Sequence, residues 1–344
     1  MQADAPAGEH EHHYFTTPIA RLARAGFCMV AALAFAVTAS TAGAQNYPTK
    51  PIKVVVPFTA GGGTDVTTRL IAEKLAPKLG QPIIVENRPG ASAAVGAASV
   101  AHAPPDGYTL LVGTATLITN LLVSGPSENF DVINDFEFIG KIGQIDLILF
   151  VNAKSNINTL QDLVNLMRTQ PQKVSFGSPG VGAPGQLGSE LFKQLTHADA
   201  LHVPYKGESA AVADLLAGTI TFQLCSPNVC VPRIKDGSLR ALAIAAKKRS
   251  PMAPEVPTTA EAGVPGFEAG TWYYLAAPKK TPAALIKKLN TALNEVFADE
   301  QFRQHMLQTG VEVEPGTTPA AVKAALTAEM DKWRPVVKAA NIKN

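Results

Sequence analysis

The apolar positions of this chain alternate between two periods, and the first clear unit sets the pattern. Residues 52–56, Ile52-Lys53-Val54-Val55-Val56, are mostly β-branched and predict a buried strand of the parallel type. A glycine-rich loop follows, Pro57-Phe58-Thr59-Ala60-Gly61-Gly62-Gly63-Thr64-Asp65. The period then becomes helical, with Val66, Leu70, Ile71, Leu75 and Leu79 returning to one face. Thr64 or Asp65 is placed to cap this helix, and Gly80 with Pro82 ends it. A strand–loop–helix unit of this kind turns free backbone N–H groups and the positive end of a helix dipole toward whatever occupies the loop.

The next segments repeat the alternation. Residues 83–85 predict a strand, the small-residue segment 91–103 a tightly packed helix, Pro104-Pro105-Asp106-Gly107 a turn, and residues 108–112 a third strand. This βαβαβ order predicts a right-handed, parallel, doubly wound sheet. Ligands of such sheets bind beyond the carboxyl ends of the strands, which places Thr114 and Thr116 on the same rim as the glycine loop. Residues 124–140 read as irregular and acidic, and the apolar run 145–151 as a strand leading into a new unit.

That unit contains a helix over 160–167, opened by the capping-box pattern Thr159-Leu160-Gln161-Asp162. A short strand at 174–176 precedes a second glycine-rich loop over 177–185. The helix after it has Leu187, Leu191, Phe192 and Leu195 as its apolar face. A strand at 201–203 leads through Pro204-Tyr205-Lys206-Gly207-Glu208-Ser209 into another helix. Val203-Pro204-Tyr205-Lys206-Gly207 resembles Val56-Pro57-Phe58-Thr59-Ala60-Gly61, either because two similar lobes use one device or because Pro and Gly punctuate any βα turn. Strands at 220–224 and 241–245 continue the second lobe, 250–266 reads as surface loop, and a strand at 271–275 is placed to return to the first. The C-terminal third is helical over 282–297, 301–307 and 319–340.

Composition narrows the function. The 344 residues are 46% hydrophobic and 17% charged, the balance of a globular chain with a sizeable core and room for two lobes. The formal charge of +2, with no basic run among aromatics, argues against nucleic acid. Arg21 and Arg24 precede an apolar run over 25–39 that ends in Ala42-Gly43-Ala44, a small-x-small cleavage site ahead of Gln45; residues 1–44 therefore read as an export leader. Cys28 opens the apolar run and is not placed for lipidation; His10, His12 and His13 lie upstream of the cut. Export permits disulfides, so Cys225 and Cys230 are either a local disulfide or two buried thiols, and a metal site is not expected. The glycines lack a following Gly-Lys-Ser/Thr and the spacing of a dinucleotide fingerprint. No Gly-x-Ser-x-Gly elbow occurs, and His102, His197, His202 and His305, the histidines left after the cut, lie in no catalytic motif, which argues against an exported hydrolase.

An ordered set of segments resembles the Bug, or TctC-type, periplasmic solute-binding proteins of tripartite tricarboxylate transport. They are Tyr47-Pro48-Thr49-Lys50-Pro51-Ile52, the loop Pro57 to Asp65, Val85-Glu86-Asn87-Arg88-Pro89-Gly90-Ala91, Pro105-Asp106-Gly107-Tyr108-Thr109-Leu110, His202-Val203-Pro204-Tyr205-Lys206-Gly207, Val256-Pro257-Thr258 and Glu261-Ala262-Gly263. The resemblance implies an α/β, two-lobed type II periplasmic-binding-protein fold, each lobe a mostly parallel sheet flanked by helices. Its divisions are 45–146 and 271–344 for the first lobe and 147–270 for the second. It implies a monomeric receptor that closes on a small organic carboxylate, without catalysis, cofactor or metal. The ligand would pass to membrane subunits of TctA/TctB type or be presented to a sensor. The chain departs from the family at Gly185-Gln186-Leu187, where a histidine is usual, at Phe130-Asp131-Val132, where a Tyr-Asp-Pro turn is usual, and at the two cysteines.

In this reading the ligand contacts are Phe58, Thr59, Gly61, Gly62, Thr64 and Asp65 in the first loop, Thr114 and Thr116 on its rim, and Ser178, Gly182, Pro204 and Lys206 in the facing lobe. Asp65 would repel an anion, so it is either the helix cap or an acceptor for an amine or bridging water. Thr114 and Thr116 either donate to ligand or are satisfied locally. Lys206 either supplies charge or sits solvated at the mouth. Gly62→Val is expected to block close backbone approach. Arg88 and His202 read as structural, and Trp272 as packing at the lobe crossover.

Overall fold

The computed structural model describes residues 47–343. Residues 1–44, read as an export leader, lie outside the described residues, as do their histidines and Cys28. In chain order the elements are β1 (Ile52–Val56), α1 (Gly63–Leu79), β2 (Ile83–Asn87), α2 (Ala94–Ala101), β3 (Thr109–Thr114), α3 (Thr116–Ser124), β4 (Phe136–Asp146) and β5 (Ile148–Asn152). Then come α4 (Leu160–Thr169), β6 (Ser175–Ser178), α5 (Pro184–Thr196), β7 (Leu201–Pro204), α6 (Glu208–Ala217), β8 (Phe222–Cys225), α7 (Pro227–Lys235) and β9 (Leu239–Ile244). The chain ends with β10 (Gly270–Pro278), α8 (Ala283–Phe297), α9 (Glu300–Gln308) and α10 (Pro319–Ala339).

Two five-stranded sheets result, ordered β2-β1-β3-β10-β4 and β7-β6-β8-β5-β9. In each, four strands run one way and a single strand, β10 in the first sheet and β5 in the second, runs against them, so two of the four pairings are parallel and two antiparallel. The apolar run of β1 is explained by cover on both faces: Val55 packs into a cluster with Ala97, Ile118 and Leu326, while Val54 lies with Ile71 and Leu75 of α1. Gly80 closes α1 in the left-handed conformation, φ 70°, which only glycine adopts readily.

The matching strand orders make β6 the counterpart of β1, since each has two parallel neighbours. The likeness read between residues 56–61 and 203–207 pairs a central strand with β7, which lies at a sheet edge. The apolar run 145–151 is divided: β4 ends at Asp146, β5 begins at Ile148, and the chain changes sheet between them. The start of β4 falls in the stretch read as irregular. Its glycines obscure the pattern, yet close packing requires them, because a Cβ on Gly143 would stand 2.5 Å from the Glu312 carbonyl oxygen. Val66 and Leu195, assigned to buried helix faces, are 39% and 42% exposed; Thr67 and Thr68 take the inward positions on α1.

Between the sheets the chain passes twice, side by side. The Leu147 N–H donates to the Ala269 carbonyl at 3.0 Å, and Gly270 pairs with Asp146 in the first sheet. Trp272 is buried beside this crossing, with its indole N–H donating to Glu329 at 3.3 Å. Cys225 and Cys230 form a disulfide joining the end of β8 to α7. Among the described residues no helix is long and apolar enough to cross a membrane, and no group of three or more His, Cys, Asp or Glu side chains could hold a metal ion.

A cleft lined by helix N-termini

A cavity of about 180 Å³ lies between the two sheets. From the first sheet and its helices it takes Phe58, Thr64, Thr114, Thr116, Thr271 and Tyr273; from the second it takes Leu147, Pro179, Pro184, Gly185, Glu208, Leu224 and Ser226. Thr64, Thr116, Pro184, Gly185 and Glu208 sit in the first turns of α1, α3, α5 and α6, and Ser226 is the residue immediately before α7. Five helices thus begin at the cavity wall. None of the five has a side-chain N-cap hydrogen bond. Of the helices that start elsewhere, α4, α9 and α10 are capped by Thr159, Asp299 and Thr318, while α2 and α8 have no side-chain cap either. Uncapped first turns aim positive dipole ends at the cavity, although α5 and α7 open on Pro184 and Pro227, which carry no N–H, and the Thr116 N–H is taken by Thr114. Neither Lys nor Arg lines the cavity.

The first loop is held from below. The buried Asp65 carboxylate accepts from Gly61 N–H at 2.9 Å, from Arg69 Nε at 3.0 Å and from Asn87 Nδ2 at 2.9 Å. Burial pushes its pKa up, but the hydrogen bonds from Arg69, Gly61 and Asn87 outweigh this and hold it below the usual carboxylate range. Asp65 is therefore a brace for the loop, neither an N-cap nor a lining residue, and it occupies the Gly61 N–H. Gly62 N–H reaches the Thr59 carbonyl at 3.4 Å. The position that demands glycine is Gly61, at φ 79°; Gly62, at φ −75°, has a backbone open to any residue. Thr59, Gly61 and Gly62 lie at the surface of the loop, outside the cavity lining.

The second loop is organised by a closed circuit of hydrogen bonds. Gly182 N–H donates to Gln186 Oε1 at 2.7 Å, Gln186 Nε2 meets His202 Nδ1 at 3.1 Å, His202 Nε2 meets Ser178 Oγ at 2.7 Å, and Ser178 Oγ donates to the Gly180 carbonyl at 3.0 Å. These partners assign the imidazole proton to Nε2. Burial, with the Lys193 charge nearby, lowers the His202 pKa to about 4, so the ring is neutral. Ser178 is fully buried within this circuit and is not among the residues lining the cavity. Gln186 holds the loop together. Thr119 Oγ1 of α3 lies 3.2 Å from the carbonyl of the buried Gly182, across the two sheets, and shares its one proton between that carbonyl and the Thr116 carbonyl of its own helix at 3.1 Å. Pro204 and Lys206 are exposed and outside the lining.

Of the residues read from sequence, Phe58, Thr64, Thr114 and Thr116 meet at the cavity. Thr114 Oγ1 accepts from Thr116 N–H at 3.2 Å. Sequence reasoning missed Tyr273, Thr271, Glu208 and Ser226. Burial, reinforced by the Glu208 charge and opposed by the nearby Thr64, pushes the pKa of the buried Tyr273 phenol up to about 12. The Thr271 hydroxyl is buried with no partner among the described residues. A larger hollow of about 400 Å³ beside the chain crossing gathers Asp146, Glu268, Glu312, Lys247 and Arg249, charges of both signs. Only α7, through Pro227, begins there.

The family model described as Tripartite tricarboxylate transporter family receptor, TctC, matches residues 67–342. The chain belongs to the TctC family. Among curated TctC relatives, BugT of Bordetella pertussis (strain Tohama I) is 35% identical over 308 residues, 89% of this chain and 94% of BugT. A structure of an R. palustris protein with adipate superposes with a TM-score of 0.76 at 34% identity, covering 86% of this chain and 99% of that one. MatC from Rhodopseudomonas palustris with bound malate gives a TM-score of 0.72 at 30% identity, covering 85% and 100%. The two-lobed TctC fold is thus established for this chain, and the family is one of solute-binding receptors.

Proposed function

We propose that this TctC protein captures a small organic carboxylate between its lobes and delivers it to the membrane subunits, of TctA/TctB type, of a tripartite tricarboxylate transporter. The observation that carries the reading is the convergence of five helix N-termini without side-chain caps on a cavity free of Lys and Arg. Such a site holds a carboxylate by oriented N–H groups and hydroxyls, each contact contributing roughly 0.3–2 kcal/mol. The adipate and malate in the related structures are carboxylates of that size.

In this proposal residues 45–146 and 271–344 move as one lobe and 147–270 as the other, about the paired crossings at Leu147 and Ala269. Phe58, Thr64, Thr114, Thr116, Thr271, Tyr273 and Ser226 contact the ligand. Thr59, Gly61, Gly62, Asp65, Ser178, Gly182, Pro204 and Lys206 shape or flank the two loops. Contact with both lobes favours the closed arrangement by population shift. The protein works in the periplasm after loss of residues 1–44, as a monomer.

The test is a thermal-shift and calorimetric screen of the chain starting at Gln45 against mono-, di- and tricarboxylates, amino acids and aromatic acids, with sugars and phosphate as controls. A carboxylate at one hundred times its dissociation constant adds about 2.7 kcal/mol of stability. Response to a sugar or phosphate with silence toward every carboxylate overturns the proposal.

A further inference from the structure

The cleft contains one group that a plain acid would avoid, and its role is inferred on the basis of the carboxylate-receptor function proposed for this site. Glu208 opens α6 and lines the cavity, half-buried. Ser226 N–H donates to its Oε1 at 2.7 Å; burial pushes the Glu208 pKa up and bonding from Ser226 opposes that rise. Among the described residues no Lys, Arg or His pairs with this carboxylate. A carboxylate offers about four acceptor sites, so Ser226 leaves part of that capacity open.

The remaining polar groups of the cavity are able to donate. Helix first turns present N–H donors, and Thr64, Thr116, Tyr273 and the unpartnered Thr271 present hydroxyls. A single acceptor carboxylate in a donor-rich cavity makes the site dipolar. A carboxylate ligand fits the helix N-termini, and any second negative charge brought toward Glu208 is repelled at short range. A ligand bearing an ammonium group satisfies both ends, since each buried charge then has a counter-charge.

We propose that Glu208 is the specificity-determining residue of the cleft and selects a ligand carrying an ammonium group beside its carboxylate, an amino acid over the matching plain acid. Glu208→Gln keeps an acceptor for Ser226 N–H while removing the charge, so the α6–α7 corner retains its tether.

The experiment measures calorimetric affinities at pH 7.5 for pairs differing only in the ammonium group: aspartate and succinate, glutamate and glutarate, alanine and propionate, phenylalanine and 3-phenylpropionate. In the parent protein the amino member of the best pair should bind at least ten-fold more tightly. In Glu208→Gln that preference should fall at least ten-fold, with the plain acid bound as well as before or better. Plain acids binding equally or more tightly in the parent, with a ratio unmoved by the glutamine, overturn the assignment while leaving the carboxylate reading intact. So does plain-acid binding that tightens from pH 8 to pH 5 in the parent and loses that dependence in Glu208→Gln, which would make Glu208 a protonated donor. Silence toward every acid, amino or plain, overturns the carboxylate reading and this inference with it.

Discussion

Asp65 accepts the amide proton of Gly61, four residues back along the chain, at 2.9 Å. The same carboxylate takes Asn87 from β2 and Arg69 from the next turn of α1, so one side chain joins loop, helix and neighbouring strand. Asp65→Ala would strip these donors of a buried charged acceptor, and a loss of about 3 kcal/mol of stability is expected. Ligand affinity should fall at least ten-fold because the loop loses its shape. Urea unfolding and calorimetric titration of the variant check both; affinity unchanged despite the stability loss would show the loop does not need the brace.

His202 gives the acid limb of the stability profile. Its folded-state pKa of about 4 lies below the ordinary 6.5, so its contribution is complete above pH 6.5 and is lost as pH falls toward 4. About 2 kcal/mol should disappear over that interval, less than the full shift implies because the ring is half-buried. NMR titration of the imidazole should place its midpoint near 4. A midpoint near 6.5 would mean that the circuit through Ser178 and Gln186 opens in solution.

Asp146 acts with the opposite sign in nearly the same window. Burial raises its pKa to about 6, with Glu312 and Glu268 adding to the rise and Gln144 and Lys141 opposing it. Its favourable term is complete below pH 3.8 and is lost as pH rises through 6. Asp146→Asn should therefore stabilise the protein at pH 7 by about 1–2 kcal/mol and leave it unchanged below pH 4. Denaturant midpoints of parent and variant from pH 4 to 8 test this, and parallel curves would refute it.

The Cys225–Cys230 disulfide closes a short loop with Ser226, the partner of Glu208, inside it. Chain-entropy reasoning for so small a ring gives about 2 kcal/mol. The double variant Cys225→Ser, Cys230→Ser should unfold at correspondingly lower urea and bind its best ligand several-fold more weakly. Equal affinity in the two proteins would show that α7 holds Ser226 without the bridge.

What could be read from sequence was local. The β1–loop–α1 unit is marked by adjacent β-branched residues, glycines and a left-handed stop at Gly80. The Thr159–Asp162 box at the start of α4 is present as expected. What escaped was set at long range. Gly140 and Gly143 weaken the pattern of β4 because Thr317 and Glu312 press against them. α7 hides behind Pro227 and Pro232, and α3 behind a run of threonine and leucine. Glu208 and Tyr273 come to one cavity from elements some sixty-five positions apart, a meeting that no local spacing announces. Asp65 was legible as important, yet its partner Gly61 lies upstream of the helix, so the cap assignment put its carboxylate on the wrong amides.

The bond from Thr119 to the Gly182 carbonyl spans the two sheets and belongs to no ligand. In a receptor that opens and closes, such a bond weights the closed arrangement for every ligand alike. Apparent affinity is the intrinsic affinity scaled by the competent fraction. Under the proposed closure Thr119 would act as a gain control on residence time, while the role proposed for Glu208 is to sort one solute from another. The two properties can be tuned apart: a change at residue 119 would quicken release of all solutes together and leave their ranking as it was.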